Sequence, residues 1–266
     1  MRRETVSGAV IPDSIPQATG IEPLEIRKMS LGDIKTALAQ GYDDLKYCRT
    51  DALLMAVIFP VAGVVLAGIV VVQGFLPFVF PLLSGFSLLG PLATLWFAAL
   101  SRQRERRDDN VFAVFAPPRL RPIERLSAVA VLMFLAWNAV AGLIYYLTLG
   151  RSASEAGAPF FQRVFTTTAG WEMIVFGCLA GAVFALATLA ISVISFPLII
   201  DRPVTASQAI AASLHALARN PVFVFGWGAV VAVGLILGSI PCLLGMVIVL
   251  PVLGHATWHV YRRMVV

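Results

Sequence analysis

His255 and His259 stand four residues apart near the end of the chain, with Arg262 three residues further on. On a helix this spacing puts both imidazoles and the guanidinium on one face. Two imidazoles so placed could enter a metal or haem site. Zinc wants four ligands, however, and no carboxylate or thiolate stands at a matching position beside them. A bis-histidine haem needs its axial ligands on opposite faces of the porphyrin, which residues one turn apart on one helix cannot supply. Only His215 could complete a cluster, and three histidines are too few for a haem–copper centre. The expectation is therefore interfacial histidines beside Trp258 and Tyr261 in an aromatic belt, with no metal or cofactor bound.

Two prolines form a second constellation. "PLLSGFSLLGP" (81–91) and "PCLLGMVIVLP" (241–251) share a Pro, a Gly four on and a Pro six further, and each precedes an arginine by eleven residues (Arg102, Arg262). Pro91 and Pro251 would each free a helical carbonyl, on Ser87 and Val247. Paired interruptions in corresponding spans can mark a transport site, and they are also ordinary kinks. Apart from Glu172, at the outer end of its segment and read as interfacial, no Asp, Glu, Lys or Arg lies inside the apolar segments to couple ions or protons, so kinks at similar depth are expected. Asn138, midway along its segment, is expected to hydrogen-bond between helices. Gly177-x-x-x-Gly181 and Gly234-x-x-x-Gly238 allow helices to approach closely. Cys48, Cys178 and Cys242 fall in different segments without metal spacing and read as packing residues. A phosphate loop, a nucleophile elbow and paired carboxylates at a plausible site are all lacking, so the chain is not expected to be an enzyme.

The elements that carry these residues are membrane spans. The chain is 59% hydrophobic and 13% charged, where a soluble domain is about a quarter charged. Apolar runs long enough to cross a bilayer cover 52–73, 78–100, 126–149, 172–200, 222–239 and 241–261. The last two would be about twice the bilayer thickness as one helix, and "GSIP" (238–241) breaks them at the midpoint. With both termini in the cytoplasm, eighteen Lys and Arg lie inside and two, Arg151 and Arg163, lie outside, which fixes the orientation. That placement also accounts for the net charge of +5 without nucleic acid as a partner. Arg outnumbers Lys seventeen to three, a bias expected of a GC-rich bacterial genome.

Two amphipathic helices are expected on the cytoplasmic side. "SLGDIKTALAQGYDDLKY" (30–47) opens on a Ser30/Asp33 cap and aligns Leu31, Ile34, Leu38, Tyr42 and Leu45. "TASQAIAASLHALARNP" (205–221) opens on Thr205/Gln208 and aligns Ile210, Leu214 and Leu217. Each precedes a span and should rest in the membrane interface. Residues 30–102 and 205–262 then read as one unit repeated in parallel: capped helix, span, turn, and a returning span with an internal proline. The first 24 residues are polar with Pro12, Pro16 and Pro23, and read as a disordered cytoplasmic tail without a signal peptide. The loop 102–122 mixes arginines with Phe112 and Phe115, a composition suited to anionic headgroups.

"IRKMSLGDIKTALAQGYDDL", "FPLIIDRPVTASQAIAASLHALARNP" and "LPVLGHATWHVYRR" resemble a bacterial family of integral membrane proteins, domain of unknown function 2189. The resemblance extends over about residues 25–263 and implies a six-span inner-membrane protein without an agreed activity. A cytochrome c oxidase subunit label carried by some such relatives points to respiratory membranes. The expected fold is all-α: six transmembrane helices in three hairpins, with two cytoplasmic interfacial helices. The expected function is a non-enzymatic packing or accessory component of a membrane complex, in contact with the bilayer and a membrane-protein partner. The alternative is a small-solute transporter or channel built on Pro91 and Pro251.

Overall fold

The structure, a computed structural model, describes residues 24–107, 110–117, 119–151 and 159–266. The expected tail, apart from Leu24, lies outside the described residues. Among the described residues the chain is helical, with no strand and one isolated antiparallel bridge between Ile26 and Val265. In chain order the helices are α1 (Leu31–Tyr47), α2 (Arg49–Val72), α3 (Val79–Phe86), α4 (Gly90–Arg106) and α5 (Leu120–Leu147). They continue with α6 (Phe160–Thr166), α7 (Thr168–Ser192), α8 (Ser195–Asp201), α9 (Ala206–Arg219), α10 (Pro221–Ser239) and α11 (Met246–Met264).

Five helical stretches are long and apolar enough to cross a membrane: Thr50–Val72, Leu76–Arg106, Leu120–Leu147, Thr168–Asp201 and Pro221–Ser239. The sixth expected span falls on α11, which is not among them. Its second half carries His255, His259, Arg262 and Arg263, and these polar groups dilute an otherwise apolar helix.

Both expected caps form. The Ser30 amide and hydroxyl each donate to the Asp33 carboxylate at 2.8 Å. The Gln208 amide donates to the Thr205 hydroxyl at 3.3 Å, and the Thr205 amide returns a bond to Gln208 at 2.8 Å. The buried faces overlap the expected ones only in part: Ile34 and Leu45 are buried and Leu38, Ile210 and Leu217 pack against the core, but small side chains make up most of each contact. In α1 the buried residues are Ile34, Ala37, Gly41, Asp44 and Leu45, while Leu31 and Tyr42 are exposed. In α9 they are Ala206, Ala209, Ala212, Ser213 and Ala216, while Leu214 is exposed. Small side chains win because they let two helix backbones close up.

At Gly41 two helix backbones approach closely. A methyl group there would lie 2.6 Å from the Ala256 amide nitrogen and 2.7 Å from the Val252 carbonyl oxygen. α11 thus lies directly on α1, and it packs almost as extensively on α4. Gly234 and Gly238 face α11 in the same way, against Leu253, Val249 and Met246, whereas Gly177 faces open space.

The two prolines are used differently. A 3₁₀ turn at Ser87–Leu89 separates α3 from α4, and Pro91 sits in the first turn of α4. Pro251 lies inside the continuous α11, and the matching Pro241 lies in the turn before it. The residues upstream account for the difference. Ser84 and Ser87 turn their hydroxyls back onto the carbonyls of Phe80 and Ser84, which competes with the helical ladder. Val247 to Leu250 have no such groups.

The core gathers at the charged end of the helices. Every residue of α8 is buried, and so are Trp258 and Tyr261 of α11. α2, α5 and α7 instead carry exposed apolar faces, for example Val61, Leu135 and Leu179. The strand-like segment before α1 is held at this same end. Val266 donates to the Glu25 carbonyl at 3.1 Å and Arg27 to the Met264 carbonyl at 2.8 Å. The Asn220 side chain accepts from the Met29 amide at 2.8 Å and donates to the Arg27 carbonyl at 3.0 Å.

Candidate functional site

Close approach at Gly41 brings Asp44, one turn further along α1, against the facing side of α11. Asp44 is 4% exposed, so its charge needs partners. It has three. Ser101 of α4 donates its hydroxyl at 2.6 Å, His259 of α11 donates through Nε2 at 2.7 Å, and Arg104 of α4 donates at 2.6 Å. Burial pushes the Asp44 carboxyl up, and the bonds from His259 and Ser101, the His259 charge and Arg104 outweigh it, leaving the group below the ordinary carboxylate value.

The single Ser101 proton is committed to Asp44, so the 2.8 Å contact between Ser101 Oγ and His255 Nδ1 is donated by His255. His255 is fully buried against Phe97, and its Nε2 has no hydrogen-bond partner among the described residues. This order of donors separates the group from a catalytic triad. In a triad the serine gives its proton to the imidazole and the carboxylate holds the imidazole. Here the serine gives its proton to the carboxylate, the imidazole gives one to the serine, and Ser101 is only 2% exposed.

A second carboxylate organises the other side of α4. Asp201, at the end of α8, accepts from Tyr261 at 2.7 Å and from Arg106 at 2.5 Å. Arg262 Nη1 stands 3.6 Å and Arg102 Nε 3.9 Å from it. Glu105 lies between the two centres, accepting from Trp258 at 3.0 Å and pairing with Arg262 at 2.7 Å. Arg263 reaches Asp33 and Gln40 of α1, each at 3.3 Å. Four helices are therefore tied together at one end by alternating acids and bases.

Between α1, α4 and α11 this network walls an open cleft of about 740 Å³. Its lining includes Gln40, Asp43, Asp44, Ser101, Arg104, Glu105, His259, Arg262 and Arg263. Of the residues singled out in the sequence, His259 lines the cleft and His255 stands behind it. The missing carboxylate is supplied by α1, 215 positions away from His259. Trp258 and Tyr261 are buried in the core and bonded to Glu105 and Asp201, so they form no aromatic belt. His215 is exposed on α9, away from the cleft. Among the described residues no three His, Cys, Asp or Glu converge on a point that could hold a metal ion.

Asn138 bonds its own helix, donating to the Phe134 carbonyl at 2.9 Å, while packing near Gly85. The interhelical bond comes from its neighbour: Trp137 donates to the Pro81 carbonyl at 2.8 Å. Pro91 borders an apolar crevice of about 10 Å³, and Pro251 is buried in α11. The sequence reading missed Asp44, Ser101, Arg104, Glu105 and Asp201. For Asp44 a signal was present: Ala37, Gly41 and Asp44 follow helical spacing on a face of small residues. Cys178 and Cys242 are exposed, and Cys48 is half-buried.

A family model described as "predicted integral membrane protein (DUF2189)" matches residues 79–201. The match runs from the first residue of α3 to the last residue of α8, so it holds Ser101, Arg104, Glu105 and Asp201 but neither α1 nor α11. It is narrower than the expected 25–263, and only the first six residues of "FPLIIDRPVTASQ" fall within it. No curated protein and no solved structure matches the chain at a significant level. Over residues 79–201 the chain is thus similar to the DUF2189 family of predicted integral membrane proteins.

Proposed function

We propose that the chain is a six-span, non-enzymatic protein of the bacterial inner membrane, with both termini in the cytoplasm. It works through contacts with a membrane-protein partner, as an accessory component of a complex, and respiratory complexes are the first candidates. α11 is the sixth span and closes the last of three hairpins, and α1 and α9 lie at the cytoplasmic surface.

The observation that carries this reading is the segregation of polarity. The buried charges collect at one end and are paired with one another, while no Asp, Glu, Lys or Arg occurs from 52 to 101, 126 to 150, 173 to 200 or 220 to 261. A chain that moves ions or protons would carry such groups along a path. A six-crossing layout is supported by the meeting of Arg262 with Glu105 and of Arg263 with Asp33, which brings the ends of α11, α4 and α1 together. A transporter would draw on the interrupted spans, but the crevice at Pro91 is at the limit for one water.

A pull-down of the full chain in mild detergent tests the reading. A partner recovered in stoichiometric amount supports it. Solute flux in liposomes that is lost on replacing Pro91 and Pro251 with Ala would overturn it in favour of the transporter.

A further inference from the structure

We propose that the cleft between α1, α4 and α11 binds a zwitterionic headgroup carrying both a phosphate and an amine, supplied by a phospholipid or by a soluble aminophosphate. Its volume of about 740 Å³ lies in the range of small-molecule sites. The charge on its wall selects the chemistry. Three guanidinium groups, Arg104, Arg262 and Arg263, face the same space as three carboxylates, Asp43, Asp44 and Glu105. A simple anion would meet the carboxylates, and a simple cation the arginines. A ligand with one charge of each sign meets a balanced wall without an uncompensated group.

The unused bonding capacity is divided in the same way. Both oxygens of Asp44 are already engaged, by Ser101, His259 and Arg104, and both of Glu105, by Trp258 and Arg262. Asp43 uses only Oδ2, on Arg104, and its side chain is 59% exposed, so Oδ1 remains open to an amine. Arg263 uses Nε and Nη1, on Gln40 and Asp33, and its side chain is 32% exposed, leaving Nη2 for a phosphate oxygen. Arg262 stands next to it on the cleft wall. The acids thus hold the arginines in place without using all of their donors.

Position favours a lipid as the source. The cleft opens where the charged ends of α4 and α11 leave the apolar stretches. At its side Arg104 stacks 4.6 Å from the ring centroid of Tyr47, which is 70% exposed. Aromatic rings in that setting mark headgroup depth. The inference is independent of the partner reading above, since a headgroup site serves an accessory protein and a transporter alike.

The test is calorimetric titration of the delipidated full chain in detergent with three probes: short-chain phosphatidylethanolamine, short-chain phosphatidylglycerol and O-phosphoethanolamine. Phosphatidylethanolamine is expected to bind about tenfold or more tighter than phosphatidylglycerol, the worth of one charged hydrogen bond. Asp43→Asn should remove that preference while leaving phosphatidylglycerol affinity unchanged. Arg263→Gln should weaken both lipids about tenfold. Melting curves matching the parent chain confirm that each variant is folded. If O-phosphoethanolamine binds as well as the lipid, the headgroup chemistry stands and the source is soluble. Equal affinity for the two lipids, no binding of phosphatidylethanolamine, or a preference that survives Asp43→Asn would overturn the proposal.

Discussion

Asp44 is the side chain on which three helices depend. It receives donors from α4 and α11 while belonging to α1, and it is nearly inaccessible to water. Removing it would leave His259 and Arg104 without their shared acceptor. We expect Asp44→Asn to cost about 2–3 kcal/mol in detergent-solubilised protein and Ser101→Ala about 1 kcal/mol, read as midpoints of thermal unfolding. The pH dependence follows from the depressed carboxyl. Because its folded value lies below the ordinary 3.8, its contribution is complete above that pH and is lost as pH falls through the lower folded value. The stability gap between the parent chain and Asp44→Asn should therefore be constant from pH 5 to 7, on the order of the same 2–3 kcal/mol, and close below about pH 4. A gap that widens on acidification would contradict the assignment. At this scale the sequence identified the histidine pair but not what holds it. His255 and His259 are visible as an i, i+4 pair, whereas their carboxylate and hydroxyl come from positions 215 and 154 residues away, respectively. No local pattern links such positions, and only helix packing brings them together.

At the level of elements, the helix caps were legible and the packing faces only in part. Ser30/Asp33 and Thr205/Gln208 act locally, within one turn, so their spacing is enough to place the starts of α1 and α9. Large apolar side chains suggested the faces, but in lipid they have no strong preference for protein over solvent hydrocarbon. The small residues decide. Gly41→Ala is accordingly expected to push α1 off α11, since the added methyl would meet backbone atoms that cannot rotate away. We expect a loss of about 1–3 kcal/mol, with a larger effect for Gly41→Leu. Gly177→Ala, which meets nothing, serves as the control and should leave the unfolding midpoint unchanged. Similar midpoints for Gly41→Ala and Gly177→Ala would mean that the α1–α11 contact contributes little. The prolines show the same limit of local reading. Pro91 and Pro251 share their flanking spacing, yet serine hydroxyls upstream of one end a helix that the other continues.

For the whole molecule, composition was enough to assign an all-helical membrane protein, and the family match at residues 79–201 agrees with it. The count of crossings depends on α11, which is less apolar than the rest and is buried among α1, α2 and α4. A span shielded by other helices can carry polar groups that a lipid-facing one could not. On the proposed six-span reading, this shielding accounts for the low hydropathy of α11 and for its polar half lying at the cleft. A purified sample is also expected to contain no stoichiometric transition metal and no Soret band. Elemental analysis finding about one equivalent, lost on His259→Ala, would show that the cleft is completed by a metal after all.

In the proposed topology α11 returns across the membrane and brings its charged end beside α1 and α4. Reporter fusions test it most directly, with junctions after Arg121, Arg219 and Arg263 and one at Ala156, which lies outside the described residues. Cytoplasmic signals are expected at Arg121, Arg219 and Arg263 and a periplasmic signal at Ala156. A periplasmic signal at Arg263 would mean that residues 222–261 do not form a hairpin. Arg262 and Arg263 could not then meet Glu105 and Asp33, and the cleft would not exist.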